Sequence, residues 1–235
     1  YNIKAELTAT ERVGMHRYTF PNTAGESHVI IDLKEGNGDR AYDTYLKQID
    51  EFTIEGYRFS HGWSPDQQLY FTMKSNLPVR LSVYDDNDPK DGSELKSAKV
   101  KGVLSFDKAP EELLLKIGIS PVSCKNALAN IEAEITGWDF DDVVKQAHDK
   151  WNQELAKVDL TTQDETGRRI FYTAMYHTLI APALFNDHNG DFRGHDKKVY
   201  TENKFNNYTA FSLWDTYRTQ NQLLTLTQPE RINDM

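Results

Sequence analysis

The hydrophobic pattern changes period at Trp138, and that change restricts the chain to few folds. Before it, Ile3, Ala5, Leu7 and Ala9 alternate with Lys4, Glu6 and Thr8. Leu69-Tyr-Phe-Thr-Met-Lys74 and Val79-Arg-Leu-Ser-Val-Tyr84 repeat the alternation. A period of two sends successive side chains to opposite faces of a strand. His28-Val-Ile-Ile-Asp-Leu33 and Leu113-Leu-Leu-Lys-Ile-Gly-Ile119 are more continuously apolar, as strands buried on both faces would be. Turn signals punctuate these runs at Pro21-Asn22, Glu35-Gly-Asn-Gly38, Ser64-Pro-Asp66 and Asn87-Asp-Pro-Lys-Asp-Gly92. The period-two pattern runs to about Ile135 and predicts an antiparallel β-sandwich.

From Trp138 the apolar residues fall three and four apart: Phe140, Val143, Val144, Ala147, Trp151, Leu155 and Val158. That is one face of an amphipathic helix. Asp139 is placed to cap it, with Asp141 and Asp142 in the first turn, where the helix dipole favours carboxylates. A second helix is predicted at about 163–181, until Pro182 and the Asn189-Gly190 turn interrupt it. A third begins near Ser212 and carries Leu213, Tyr217, Leu223, Leu224 and Leu226. Pro229 then opens another. The expected class is a multi-domain α+β chain with a sandwich over 1–136 and a linker helix over 137–160. An assembly of paired helices follows over 161–235. Helices joined by long aromatic loops suit a site built by those loops.

Charge and motifs narrow the function. The formal net charge is -9, which argues against nucleic acid, since phosphate neutralisation needs a clustered basic surface. No apolar run is long enough to span a membrane, and no signal peptide is visible. The single cysteine, Cys124, precludes an internal disulfide. The acidic turn Asp85-Asp-Asn-Asp-Pro-Lys-Asp-Gly92 lacks the terminal glutamate of an EF-hand loop and reads as a hairpin turn. His188 and His195 lie on either side of Asn189-Gly190, a preferred hairpin pair, and form no metal motif. Asn207-Tyr-Thr209 fits the glycosylation sequon, a pattern short enough to arise by chance.

Phe211-Ser-Leu-Trp-Asp-Thr-Tyr-Arg218 carries the chemistry. A sugar has apolar C–H faces and a rim of hydroxyls. An indole such as Trp214 offers a stacking surface, and a carboxylate such as Asp215 accepts charge-assisted hydrogen bonds from neighbouring hydroxyls. The same pair also fits a core aromatic at a helix head, with Asp215 beside the positive end of the dipole. On the dipeptide alone the second reading is the commoner, because aromatics are usually buried.

Longer segments carry a family resemblance. They are Glu6-Leu-Thr-Ala-Thr-Glu-Arg-Val-Gly-Met-His-Arg-Tyr-Thr-Phe-Pro21, Ile54-Glu-Gly-Tyr-Arg-Phe-Ser-His-Gly-Trp63 and Lys116-Ile-Gly-Ile-Ser-Pro-Val-Ser123 with Asn126-Ala127. Gly137-Trp-Asp-Phe140, Phe171-Tyr-Thr-Ala-Met-Tyr-His177 and Asp187-His-Asn-Gly-Asp-Phe-Arg-Gly194 follow, then the Trp-Asp segment and Gln228-Pro-Glu-Arg-Ile-Asn-Asp-Met235. In this order along nearly the whole chain, they resemble glycoside hydrolase family 92, the calcium-dependent exo-acting α-mannosidases. The resemblance implies an N-terminal β-sandwich, linker helices and an (α/α)6 barrel. This chain would hold most of the sandwich, the linker and the first barrel helices.

The resemblance turns the reading of Trp214 and Asp215 towards the pocket for a terminal mannose. It places the general acid, the general base and most Ca2+ ligands beyond Met235, and part of the sandwich wall before Tyr1. The chain alone is then expected to be a catalytically inactive fragment, with no catalytic residue and no metal ligand assigned within it. Other expectations are inversion, an α-mannoside or N-glycan substrate, the remainder of the same polypeptide as partner, and a periplasmic or cell-surface location. Two rivals remain at this stage. A non-catalytic carbohydrate-binding sandwich would explain the strands but not the helices. Another (α/α)6-barrel glycosidase would share the architecture but not the ordered segments.

Overall fold

The computed structural model describes residues 2–21, 27–106 and 110–235, so Asn22 of the Pro21-Asn22 turn lies outside the described residues. The chain divides into two compact units, 1–144 and 145–235. The first is built on β1 (Lys4–Ala9), β2 (Val13–Thr19), β3 (His28–Asp32), β4 (Arg40–Asp50), β5 (Thr53–His61) and β6 (Gln67–Ser75). It continues with β7 (Arg80–Asp85), β8 (Asp88–Lys90), β9 (Glu94–Ser97), β10 (Val100–Ser105) and β11 (Glu112–Ser120). Seven strands form one sheet in the order β1-β2-β11-β6-β5-β4-β9, and four form the other, β3-β10-β7-β8. The described pairings of both sheets are antiparallel, as a period of two over turn-rich sequence predicts.

The inner faces meet in a core containing Leu46, Val83, Val100, Leu104 and Leu113, all fully buried. Burying each such side chain is worth about 1.5–3 kcal/mol before conformational entropy is charged. Two polar side chains tie the sheets together. Thr44 Oγ1 donates to Ser97 O at 2.8 Å and accepts from Val100 N at 3.0 Å, and Arg58 Nε donates to Leu33 O at 2.9 Å. β11 is buried on both faces, as its apolar run predicts. β3 is not. It lies at the sheet edge with Ile30 70% exposed, so its continuous apolarity does not mark burial on two sides. The acidic turn is a β7–β8 hairpin, with Asp86 at φ 59° held by Lys34 and Lys101.

The strand pattern also ends earlier than about Ile135. Helix α1 (Cys124–Glu134) starts at Ser123, whose Oγ accepts from Asn126 N at 3.1 Å. Ala127, Ile131 and Ile135, four residues apart, are buried on the outer face of the larger sheet with Val13, Met15 and Leu114. Gly118 lets the helix approach, because a Cβ there would lie 2.2 Å from Ala127 O. Helix α2 (Phe140–Leu155) is capped by Asp139, whose Oδ1 accepts from Asp142 N at 3.0 Å. Phe140 and Val143 complete this second cluster, and the unit boundary falls within α2.

The second unit holds the rest of α2, helix α3 (Glu165–Thr178), the hairpin of β12 (Asp191–Arg193) and β13 (Val199–Thr201), α4 (Leu213–Thr216) and α5 (Gln220–Thr227). Asp164 caps α3 through Gly167 N at 3.0 Å. The single helix expected from Ser212 is two, because Thr219 sits at φ 72° between them. Residues 229–234 form consecutive turns rather than a helix, with Arg231 N and Ile232 N both donating to Gln228 O at 3.0 Å. Asn189-Gly190 is not the hairpin loop. It closes the turn before β12, where Gly190 N donates to Asp187 O at 2.9 Å. The hairpin itself turns over 194–198, which includes His195. The expected class, an antiparallel sandwich followed by helices, is the class observed.

Candidate functional site

The Trp-Asp turn is placed by two anchors on the end of α3 and the segment that follows it, residues 178–185. On its N-terminal side the chain leaves α3, makes the hairpin and returns alongside itself. Phe185 N donates to Asn207 O at 2.7 Å and Thr209 N to Ala183 O at 2.8 Å. Ala183 N donates to Thr209 Oγ1 at 2.9 Å, so the sequon threonine serves this ladder. On its C-terminal side, Gln220 Nε2 donates to Thr178 O at 3.1 Å and Ala181 O at 3.3 Å. Residues 210–219 are therefore a short excursion held at both ends.

Within it, α4 is one turn. Asp215 N and Thr216 N both donate to Ser212 O, at 2.9 and 3.1 Å. Ser212 Oγ does not cap the helix. It donates to Asp215 Oδ2 at 2.6 Å, so this short charge-assisted bond fixes the carboxylate. Asp215 Oδ1 has no partner among the described residues. Trp214 is 86% exposed, so the described residues do not bury it as a core aromatic. Adjacent residues on a helix point about 100° apart. The indole and the carboxylate thus suit two walls of a site, one for a sugar's C–H face and one for its hydroxyls.

A second polar group in this unit is not marked by any motif in the sequence. Glu154 on α2 accepts from Lys157 Nζ at 2.8 Å, from Gln228 Nε2 at 2.8 Å and from Arg231 Nη2 at 2.5 Å. Gln228 is fully buried, and its Oε1 takes a bond from Lys157 Nζ at 2.9 Å. Burial would raise the Glu154 pKa. The bonds from Lys157 and Gln228 and the charge of Arg231 outweigh it and hold the carboxyl below its ordinary range. The visible signal is the Gln228-Pro-Glu-Arg231 string, whose proline predicts a helix start where the structure has turns. Asp187, in the turn before β12, is likewise buried at 1% exposure. Among the described residues, no three His, Cys, Asp or Glu side chains gather as a metal-holding group.

Comparison with known proteins settles the family. The N-terminal domain of glycosyl hydrolase family 92 matches residues 1–120, and its catalytic domain matches residues 126–235. The chain belongs to glycosyl hydrolase family 92. Among family 92 structures, the alpha-mannosidase BT3965 from Bacteroides thetaiotaomicron is 34% identical and superposes with a TM-score of 0.90. That match covers 96% of this chain and 31% of that one. The superposition therefore takes in the helical segment as well as the sandwich, as expected of the first helices of an (α/α)6 barrel. The family 92 glycosyl hydrolase ccman5 is 26% identical with a TM-score of 0.92, covering 99% of this chain and 32% of that one. A curated relative, an uncharacterized secreted glycosidase from Arthroderma benhamiae, is 25% identical over 94% of this chain and 31% of its own length. The chain thus spans about a third of the relatives it matches.

Proposed function

We propose that this protein is an exo-acting α-mannosidase releasing terminal mannose from α-mannosides of the N-glycan type, with inversion and with calcium. Trp214 and Asp215 form two walls of the pocket for the terminal sugar. The observation that carries this reading is the α4 turn, in the family 92 catalytic domain. It presents an exposed indole and a carboxylate held by Ser212 on a segment anchored at both ends. Support comes from the similar family 92 structures, one titled an alpha-mannosidase and one of the same protein in complex with mannoimidazole.

Inverting glycosidases separate an acid and a base by about 6.5–9.5 Å so that water attacks the face opposite the leaving oxygen. The reading puts that pair in the part of the family domain following Met235. The residues here bind and orient. A carboxylate that holds remote hydroxyls spends its binding energy on placing the anomeric carbon. Calcium takes six to eight oxygen ligands, and the described residues do not assemble such a set. When bound, it would add a hard cation to the contacts of the sugar hydroxyls.

The secreted relative supports export to the periplasm or cell surface. No described helix is long and apolar enough to cross a membrane. The test uses the full-length protein on an α-linked mannobiose. Mannose release that follows inversion by NMR and stops with a chelator is the expected result. Binding without release makes the protein a lectin-like module, and chelator-insensitive release removes calcium from the proposal.

A further inference from the structure

The first unit contains a pocket that neither the fold nor the proposed activity explains. It is a cavity of about 600 Å³ between the outer face of the larger sheet and the end of α1. Its lining includes Lys74 and Lys116 on the sheet, Asn76, Asp50 and Glu132, and Trp138. Cavities of this size hold small ligands.

Lys116 and Lys74 are direct cross-strand partners on β11 and β6. Lys116 is 3% exposed. An ammonium has three donors. One of Lys116's reaches Ile135 O at 2.8 Å, and the charge lies 4.2 Å from the centre of the Trp138 ring. Among the described residues, neither lysine has a carboxylate within ion-pair distance, and Lys74 has no side-chain hydrogen bond. Burying a charge without an opposite charge is costly, and like charges directly opposite on a sheet destabilise each other. Desolvation and the Lys74 charge both push the Lys116 pKa down. Asp50 and Glu132 are exposed on the rim, where solvent screens them, so they offset the buried cation only weakly. The floor of the pocket is positive and one wall is an indole.

We propose that this pocket binds a small molecule carrying a phosphate or carboxylate, with its anionic group on Lys116 and Lys74 and an apolar ring face against Trp138. An anion there supplies the missing countercharge for both lysines. A hexose phosphate suits the whole pocket, because its hydroxyls would meet Asn76 and the rim carboxylates. The inference does not depend on the mannosidase reading.

The test is thermal stabilisation of the full-length protein by mannose 6-phosphate, by inorganic phosphate and by uncharged mannose. Ligand that binds only the folded state raises Tm with concentration. The expected result is stabilisation by mannose 6-phosphate, with a Kd about tenfold weaker in Lys74→Gln, as loss of one charge-assisted bond predicts. In Lys116→Met no stabilisation should remain. Lys116 also holds Ile135 and Trp138, so Lys74→Gln, on a half-exposed side chain, keeps the test valid if Lys116→Met folds poorly. Inorganic phosphate acting as strongly as the sugar phosphate upholds the anion site and assigns it to free phosphate. No stabilisation by either anion overturns the proposal. So does stabilisation that mannose matches, or that Lys74→Gln leaves unchanged.

Discussion

Trp214 and Asp215 are adjacent in sequence, yet a step of about 100° round the helix separates their directions, and Ser212 holds only the carboxylate. On the proposed reading, replacement in the full-length protein should therefore act on substrate and hardly on the fold. Asp215→Asn keeps the shape and removes the charge. Hydrogen bonds to charged groups are worth about 1.5–3 kcal/mol, so kcat/KM should fall about tenfold to a hundredfold. Trp214→Ala should cost at least as much, with Tm nearly unchanged because the indole is 86% exposed. A large fall in Tm with full activity in the surviving enzyme would return Trp214 to a packing role. The dipeptide alone favours a packing role; what the structure adds is the exposure of Trp214. The Ser212 bond was not legible in the sequence, since the alternative, a serine capping its own helix, has the same sequence. A second residue, Asp39, sets an acid limit. Its hydrogen bond with Arg58, then one with Ser60, lowers its pKa from an ordinary 3.8 to about 2. A carboxyl depressed in the folded state contributes stability that is complete above the unfolded value and lost as pH falls through the folded one. Tm should therefore drop between about pH 4 and about pH 2, and Asp39→Asn should flatten that drop. An unchanged slope would show that the pair contributes nothing.

At the level of elements, α1 shows why a period can mislead. Ala127, Ala129, Ile131, Ala133 and Ile135 are all apolar at odd positions and imitate a strand. The structure buries every second of them, four residues apart, with Ser123 as cap and alanines as strong helix formers. The β-sheet alternation was legible because one face of each strand meets a core. β3 was misread because an edge strand can carry isoleucine on its open face without cost. α1 is held at its far end by Glu134, which accepts from Arg12 N at 3.0 Å and Arg12 Nη1 at 2.7 Å, and from the Thr10 hydroxyl. Both charged side chains are mostly buried, at 9% and 15% exposure. Glu134→Ala removes these bonds to Arg12 and Thr10 at the β1–β2 turn and should destabilise the first unit by about 1.5–3 kcal/mol. Denaturant unfolding monitored by circular dichroism reads it. A change below a few tenths of a kcal/mol would make the contact a surface pair of little consequence.

The two units differ in how much core each encloses. Both hydrophobic clusters of the first unit are built from residues up to Val143. In 145–235 the large hydrophobic side chains that are buried are Met175 and Leu224, while Ile170, Ile180, Leu213 and Leu226 are 55–80% exposed. Residues 1–144 expressed alone should unfold in one cooperative transition, and 145–235 alone should not. A sharp transition from the second piece would show that its polar networks, such as Glu154 with Gln228 and Arg231, suffice without a larger core. The sandwich-then-helix order was legible from the change of period. What the helices close against was not, because amphipathicity shows that a face is covered and does not name the cover.

The four indoles also divide between the units in a way that gives each its own optical reporter. Trp63 and Trp214 stand in water, at 102% and 86% exposure. Trp138 lies against the Lys116 ammonium and Trp151 against Tyr176 at 4.7 Å, each a little over one-third exposed. A collisional quencher such as acrylamide should silence the first pair before the second. The emission that survives then comes from one shielded indole in each unit. Its red shift on heating, read separately in Trp138→Phe and Trp151→Phe proteins, would tell which half of the chain comes apart first.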